Sequence, residues 1–152
     1  MDAAEAVYDA PTPYERDFHL WCFEQAEALR LRRFAQADLP NIVEELENMG
    51  RSLKSSLRSS YRLVIAHLLK RQDQPEMRSA SWEITLFRER SHIDDIEADN
   101  PSLKAEAPSI VESAFKKARK EAQMETKLPL STFPAECPYA LDQLRDEDWL
   151  PE

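Results

Sequence analysis

The residues of this chain best suited to chemistry are histidines with carboxylates and lysines set near them in helical register. His67 falls near the face carrying Met49, Ser60 and Val64, and Glu89 sits inside an apolar stripe of Trp82, Leu86 and Ile93. A polar group turned inward needs a partner, since leaving it unpaired costs about 1–3 kcal/mol. Two readings follow. In the sharper one a carboxylate orients an imidazole that acts as general base: His67 is the base, Glu45 or Glu89 the orienting or acid group, and Lys70 a neighbouring cation. In the plainer one His67 and Glu89 satisfy each other in an internal network. No nucleophile, glycine-rich loop or oxyanion element accompanies them, and that favours the network.

A second pattern is cationic. Between Asn48 and Gln72 there is no acidic residue, and Arg51, Lys54, Arg58 and Arg62 follow one another at helical spacing. Aligned cations on a rigid helix can meet an acidic partner or successive phosphates of a nucleic acid. The ordinary alternative is a solvated helix face, complemented by the acidic segment "DQLRDEDW" of the same chain. Lys116, Lys117, Arg119 and Lys120 form a second, weaker cluster.

Metal binding has less to stand on. Bundle metal sites use inward glutamates with two Glu-x-x-His pairs. Glu89 and His92 supply one such spacing, about 60° apart on the helical wheel, and His19 has no comparable neighbour. The expectation is therefore no metal and no cofactor. Two cysteines, Cys22 and Cys137, lack ligand spacing, and with no signal peptide or long apolar run they imply a reduced, cytosolic setting.

These residues must be positioned by helices. The chain of 152 residues has one glycine, Gly50, with 42% apolar and 32% charged residues. So few glycines leave no means of making repeated hairpin turns, and the class is all-α. A net charge of −9 at pH 7 argues against non-specific binding to nucleic acid or to an anionic membrane by the molecule as a whole. The pattern predicts a compact bundle of about four main helices. Residues 1–12 read as a flexible arm, followed by one helical domain over 13–152. A first helix is capped by Thr12 and ends near Phe34, with Phe18, Cys22, Gln25 and Leu29 inward. A second, capped by Asp38, runs over about 39–72. A third spans Ser79 or Ser81 to about Ala98. The last long helix restarts at Pro108 with Val111, Phe115, Ala118 and Ala122 inward, and an extended Pro-rich segment closes the chain with a short helix over about 138–145. Gly50 is expected either to bend the long helix or to admit a bulky side chain such as Phe18 or Trp21.

The segments "YERDFHLWCFEQAEALR", "NIVEELENMGRS", "HLLKRQDQPEMRSASW" and "ARKEAQMETKLPLSTFPAECPY", in that order, resemble a bacterial family, domain of unknown function 29, from about Tyr14 to Pro151. The resemblance implies an all-helical protein and carries no activity with it. The family pattern falls here on Glu44, Glu45, Gly50, His67, Lys70, Gln74, Pro75, Trp82, Glu121 and Glu125, and it implies that any shared site lies among the polar ones. Two positions depart from it. Arg71 stands where the family has tryptophan, and Lys127 where glycine ends the helix, which puts a left-handed cap there in question.

Three functions are therefore carried forward. The leading one is a small cytosolic interaction module, regulatory in role, that binds another protein through the second or third helix. The others are a nucleic-acid-associated protein using the ridge Arg51, Lys54, Arg58 and Arg62, and an enzyme built on His67 with a glutamate. No membrane role is expected, and self-association into a homodimer stays open.

Overall fold

The computed structural model describes residues 12–152. The expected arm lies outside the described residues except for Thr12. Six α-helices occur among them: α1 (Phe18–Arg30), α2 (Leu39–Asp73), α3 (Ala80–Asp99), α4 (Pro101–Ala105), α5 (Ala107–Thr126) and α6 (Leu141–Arg145). Four are long, with 13, 35, 20 and 20 residues for α1, α2, α3 and α5. The described residues contain no strand. Residue contacts divide the chain after Gly50 into two units, 1–50 and 51–152, where the sequence predicts a single domain.

In the first unit, α1 starts one turn later than expected. Pro13–Arg16 close a turn, and the carboxylate of Asp17 accepts the backbone N–H of Leu20 at 3.0 Å, satisfying a first-turn donor. Thr12 instead gives its N–H and hydroxyl to Glu24. Trp21 and Gln25 form the buried face, one turn apart, whereas Phe18 is exposed. The reason is polar. The indole of Trp21 donates to Asp38 Oδ2 at 3.2 Å, and Gln25 Oε1 accepts the N–H of Asp38 at 2.7 Å. Asp38, held from both sides, also accepts from the side chain of Asn41 at 2.8 Å as α2 begins. The end of α1 is wound shut by Arg32 at φ 56°, with Arg33 N–H donating back to Ala28 O at 2.8 Å. That left-handed closure is normally given to glycine.

The long helix α2 is unbroken through Gly50. At 1.5 Å per residue it extends about 50 Å. A side chain built on Gly50 would meet nothing within 4 Å, so the expected close contact with Phe18 or Trp21 does not exist. Gly50 follows Val43 by seven residues and Leu46 by four, which places all three on one flank.

In the second unit the core comes from α2 after Leu57, from α3, and from α5, whose Val111, Phe115, Ala118 and Ala122 are buried as predicted. Cross-helix bonds fix the directions. Tyr61 reaches Glu97 while His67 meets Trp82, so α2 and α3 are antiparallel; Lys54 reaches Glu106 and Lys70 reaches Glu125, so α2 and α5 are parallel. Two arginines pin the C-terminal segment. Arg119 donates to the carbonyls of Leu130 and Phe133, each at 3.0 Å. Arg90, 1% exposed, donates to those of Gln143, Leu144 and Trp149 at 2.9, 3.0 and 2.9 Å. Lys127 takes φ 59° at the end of α5 and returns its N–H to Gln123 O at 2.9 Å, so the left-handed cap forms without its glycine.

Candidate functional site

His67 and Glu89, expected to satisfy each other in an internal network or, in the sharper reading, to form an acid-base pair, are not bonded to each other. The Nδ1–H of His67 donates to Leu63 O at 2.8 Å, one turn back in α2, since a carbonyl can only accept. This fixes the tautomer and leaves Nε2 as the acceptor of a neutral ring. Burial, and then the charge of Lys70, push the pKa of His67 below its ordinary value. The ring lies edge-on to Trp82 at 6.2 Å between centroids.

Lys70 completes that corner. Its ammonium lies 5.1 Å from the centroid of the Trp82 ring and pairs with Glu125 of α5, with the side chain itself buried. One helix thus supplies an imidazole and an ammonium, the second an indole, the third a carboxylate. All four belong to the pattern that the resemblance singles out. Buried cations are tolerated where a carboxylate and an aromatic face both compensate lost hydration, and this corner ties α2, α3 and α5 together on that principle. Arg71, where an aromatic residue was expected, lies near Glu83 at 3.7 Å and keeps Nε and Nη1 buried with no hydrogen-bond acceptor among the described residues.

Glu89 turns to a different partner. The hydroxyl of Ser60 contacts Glu89 Oε2 at 2.8 Å and His92 Nδ1 at 2.7 Å. A carboxylate only accepts, so Ser60 donates its single proton to Glu89, and His92 donates Nδ1–H to the Ser60 oxygen. The three-residue spacing of Glu89 and His92, considered above for a metal, lets both reach one hydroxyl of the facing helix. Ser60 is 2% exposed and cannot meet a substrate. No group of three or more His, Cys, Asp or Glu among the described residues is arranged to hold a metal ion. Glu45, the remaining catalytic candidate, belongs to the first unit and accepts a hydrogen bond from the Tyr14 hydroxyl, whose pKa that carboxylate pushes up to about 12. His67, Lys70, Glu89 and Glu45 therefore each have separate structural partners.

The cationic ridge is also partly committed. Lys54 pairs with Glu106, and Arg62 Nη1 with Glu121 Oε1 at 2.6 Å. The complementing charge comes from the start and the last turns of the α5 region, not from "DQLRDEDW", whose Arg145 is itself held by Glu97 and Tyr61. In that group Tyr61 and Glu97 are buried and Arg145 is partly exposed: Tyr61 donates to Glu97 Oε1 at 2.6 Å, and desolvation, then that hydrogen bond, raise the tyrosine pKa.

A different kind of feature occupies the first half of α2. Val43, Leu46 and Met49 are 53%, 63% and 64% exposed, and Leu39 stands exposed on the same helix. Their spacing of three and four residues is that of a core-facing stripe. Between Leu39 and Gly50 the helix carries Glu44, Glu45 and Glu47 and no cation. Sequence reasoning missed this exposure, because such spacing looks the same whether or not the chain covers it.

A family model, Domain of unknown function DUF29, matches residues 13–150. The chain belongs to this DUF29 family. Comparison with curated proteins and with solved structures gives no match. In this DUF29 chain the family-pattern glutamates Glu121 and Glu125 are those that bind Arg62 and Lys70, and none of the helices among the described residues is long and apolar enough to cross a membrane.

Proposed function

We propose that this DUF29 protein is a helical interaction module whose docking face is the first half of α2. The observation that carries the reading is the exposed stripe of Val43, Leu46 and Met49 on a regular helix. Large contiguous apolar faces on a helix are costly to hydrate and mark contact surfaces. The occupant is an amphipathic helix of another protein, apolar on one side and basic along its edges, because the exposed Glu44 and half-buried Glu45 give the rim here negative charge. Val43 and Leu46 are 53% and 63% exposed, so burying the rest of both would contribute on the order of 2–3.5 kcal/mol, from about 1.5–3 kcal/mol for a wholly exposed side chain. The catalytic alternative has less support, since each of its candidate residues has its own structural partner.

The test is a photo-crosslinking residue placed at position 46, with a control at exposed Asp94 of α3. The expected result is a reproducible adduct to a basic amphipathic helix at position 46 alone, lost when Val43→Glu is added. Adducts equal at both positions, or only to further copies of this chain, would overturn the reading. In the latter case the protein is a homodimer through this face.

A further inference from the structure

Beyond that docking face, we infer that the second unit holds a binding site for a single phosphoryl group. A cavity of about 170 Å³ is lined by Ser55, Arg58, Ser59 and Arg62 of α2 and by Lys117 of α5. The four α2 residues stand at i, i+3, i+4 and i+7, which gathers them on one side of the helix, and the parallel helix α5 adds the fifth. Every side chain lining the cavity is a cation or a hydroxyl. No carboxylate is among them.

The cations here differ in their commitments. Arg62 is a positioned group: Nη1 binds Glu121, Nη2 donates to Ser59 Oγ at 3.2 Å, and its buried Nε–H has no acceptor among the described residues. Ser59 receives a hydrogen bond on its oxygen, which leaves its own proton to donate. Arg58 and Lys117 make no ion pair among the described residues. The site thus offers donors and positive charge, with Arg62 fixed by Glu121 and with Arg58 and Lys117 left to meet an anion. That is the complement of an oxyanion with several acceptor oxygens, and guanidinium groups match it in geometry.

Commitments of the neighbouring cations decide which oxyanion. The half-open cavity of about 170 Å³ has room for one tetrahedral group. A nucleic-acid track would require successive free cations along α2. Lys54, one turn before Arg58, is instead tied to Glu106, and the chain carries a net charge of −9 that repels a polyanion. The ligand is therefore a free phosphate or the phosphate monoester of a small molecule, not a nucleic-acid backbone.

Isothermal titration calorimetry at low ionic strength tests this, with inorganic phosphate, glycerol phosphate, acetate and a short single-stranded oligonucleotide as separate titrants. Saturable one-to-one binding of inorganic phosphate or glycerol phosphate is expected, and the tighter of the two tells free ion from monoester. Arg58→Ala and Lys117→Ala should each weaken it tenfold or more with unchanged circular dichroism, Lys117→Arg should restore most of it, and Lys116→Ala should leave it unaltered. The inference is overturned if neither phosphate compound saturates, if acetate binds equally well, if only the oligonucleotide binds, or if affinity survives both alanine variants.

Discussion

Gly50→Ala should stabilise this protein. Glycine inside a helix is about 1 kcal/mol less favourable than alanine, because the unfolded chain has more conformations to lose. Close packing, one usual reason to keep it, is absent. A side chain at position 50 meets nothing within 4 Å, so the methyl group neither clashes nor gains contacts, and α2 continues as regular helix on both sides. The propensity term therefore stands alone, and the expected gain is about 0.5–1 kcal/mol. With a urea m-value of roughly 1–3 kcal/mol/M the midpoint should rise by about 0.2–1 M at constant m. Thermal unfolding should shift by about 1–4 °C for a chain of this size. Because the division between the two units falls inside α2, amide hydrogen exchange over residues 46–54 gives the local readout, and protection there should increase. A loss of 1 kcal/mol or more at monomeric concentrations would refute the reasoning, since it would mean that something packs against Gly50. If the docking face extends along its flank, the same methyl should weaken partner binding while strengthening the free protein.

Three further outcomes are expected. Lys127→Gly should raise stability by up to about 1 kcal/mol, because a left-handed residue with a side chain costs ~1–2 kcal/mol and glycine returns part of that through its unfolded-state entropy; an unchanged or lower urea midpoint would count against strain at φ 59°. Arg90→Met should cost on the order of 3–5 kcal/mol, with Trp149 fluorescence and protection of residues 141–150 lost first, since three carbonyls of that segment lose one buried charged donor together; an effect under 1 kcal/mol would show that the segment is held by other means. His67 makes stability depend on pH. Its folded pKa lies below the ordinary value of about 6.5, so as pH falls through that value the unfolded chain takes up a proton that the folded one does not, and stability drops between there and the folded pKa. His67→Gln should flatten this slope measured between pH 7 and 5, and identical slopes in the two proteins would rule out the burial of a neutral imidazole.

Periodicity made the helices legible. An apolar residue at every turn of α5 forms a face that requires burial wherever that helix sits, and Val111, Phe115, Ala118 and Ala122 are buried. Proline and asparagine marked the breaks at Asn100 and Pro101 because their backbone restrictions act locally. Local geometry could still mislead. Lys127 in place of the family's glycine put a left-handed cap there in question, yet Lys127 makes one and Arg32 makes another, since neighbouring hydrogen bonds outweigh the strain of a side chain there. Thr12 looked like a cap, but a cap is decided by which carboxyl or hydroxyl reaches the first-turn amides, and Asp17 does.

The sequence by itself determined the all-α class, the long α2 and the inward faces of α3 and α5, because hydrophobic spacing and backbone restrictions depend only on near neighbours along the chain. Partnership across helices was decided by tertiary structure alone. His67 turns to its own helix and to Trp82, Glu89 to Ser60, Arg90 to three carbonyls of the C-terminal segment, and Glu121 and Glu125 to Arg62 and Lys70. A hydrogen bond or ion pair reaches only a few ångströms, and which groups come that close depends on how helices cross, a property that no stretch of one helix encodes. Exposure follows the same rule: the spacing of Val43, Leu46 and Met49 is that of a buried face, yet all three stand exposed.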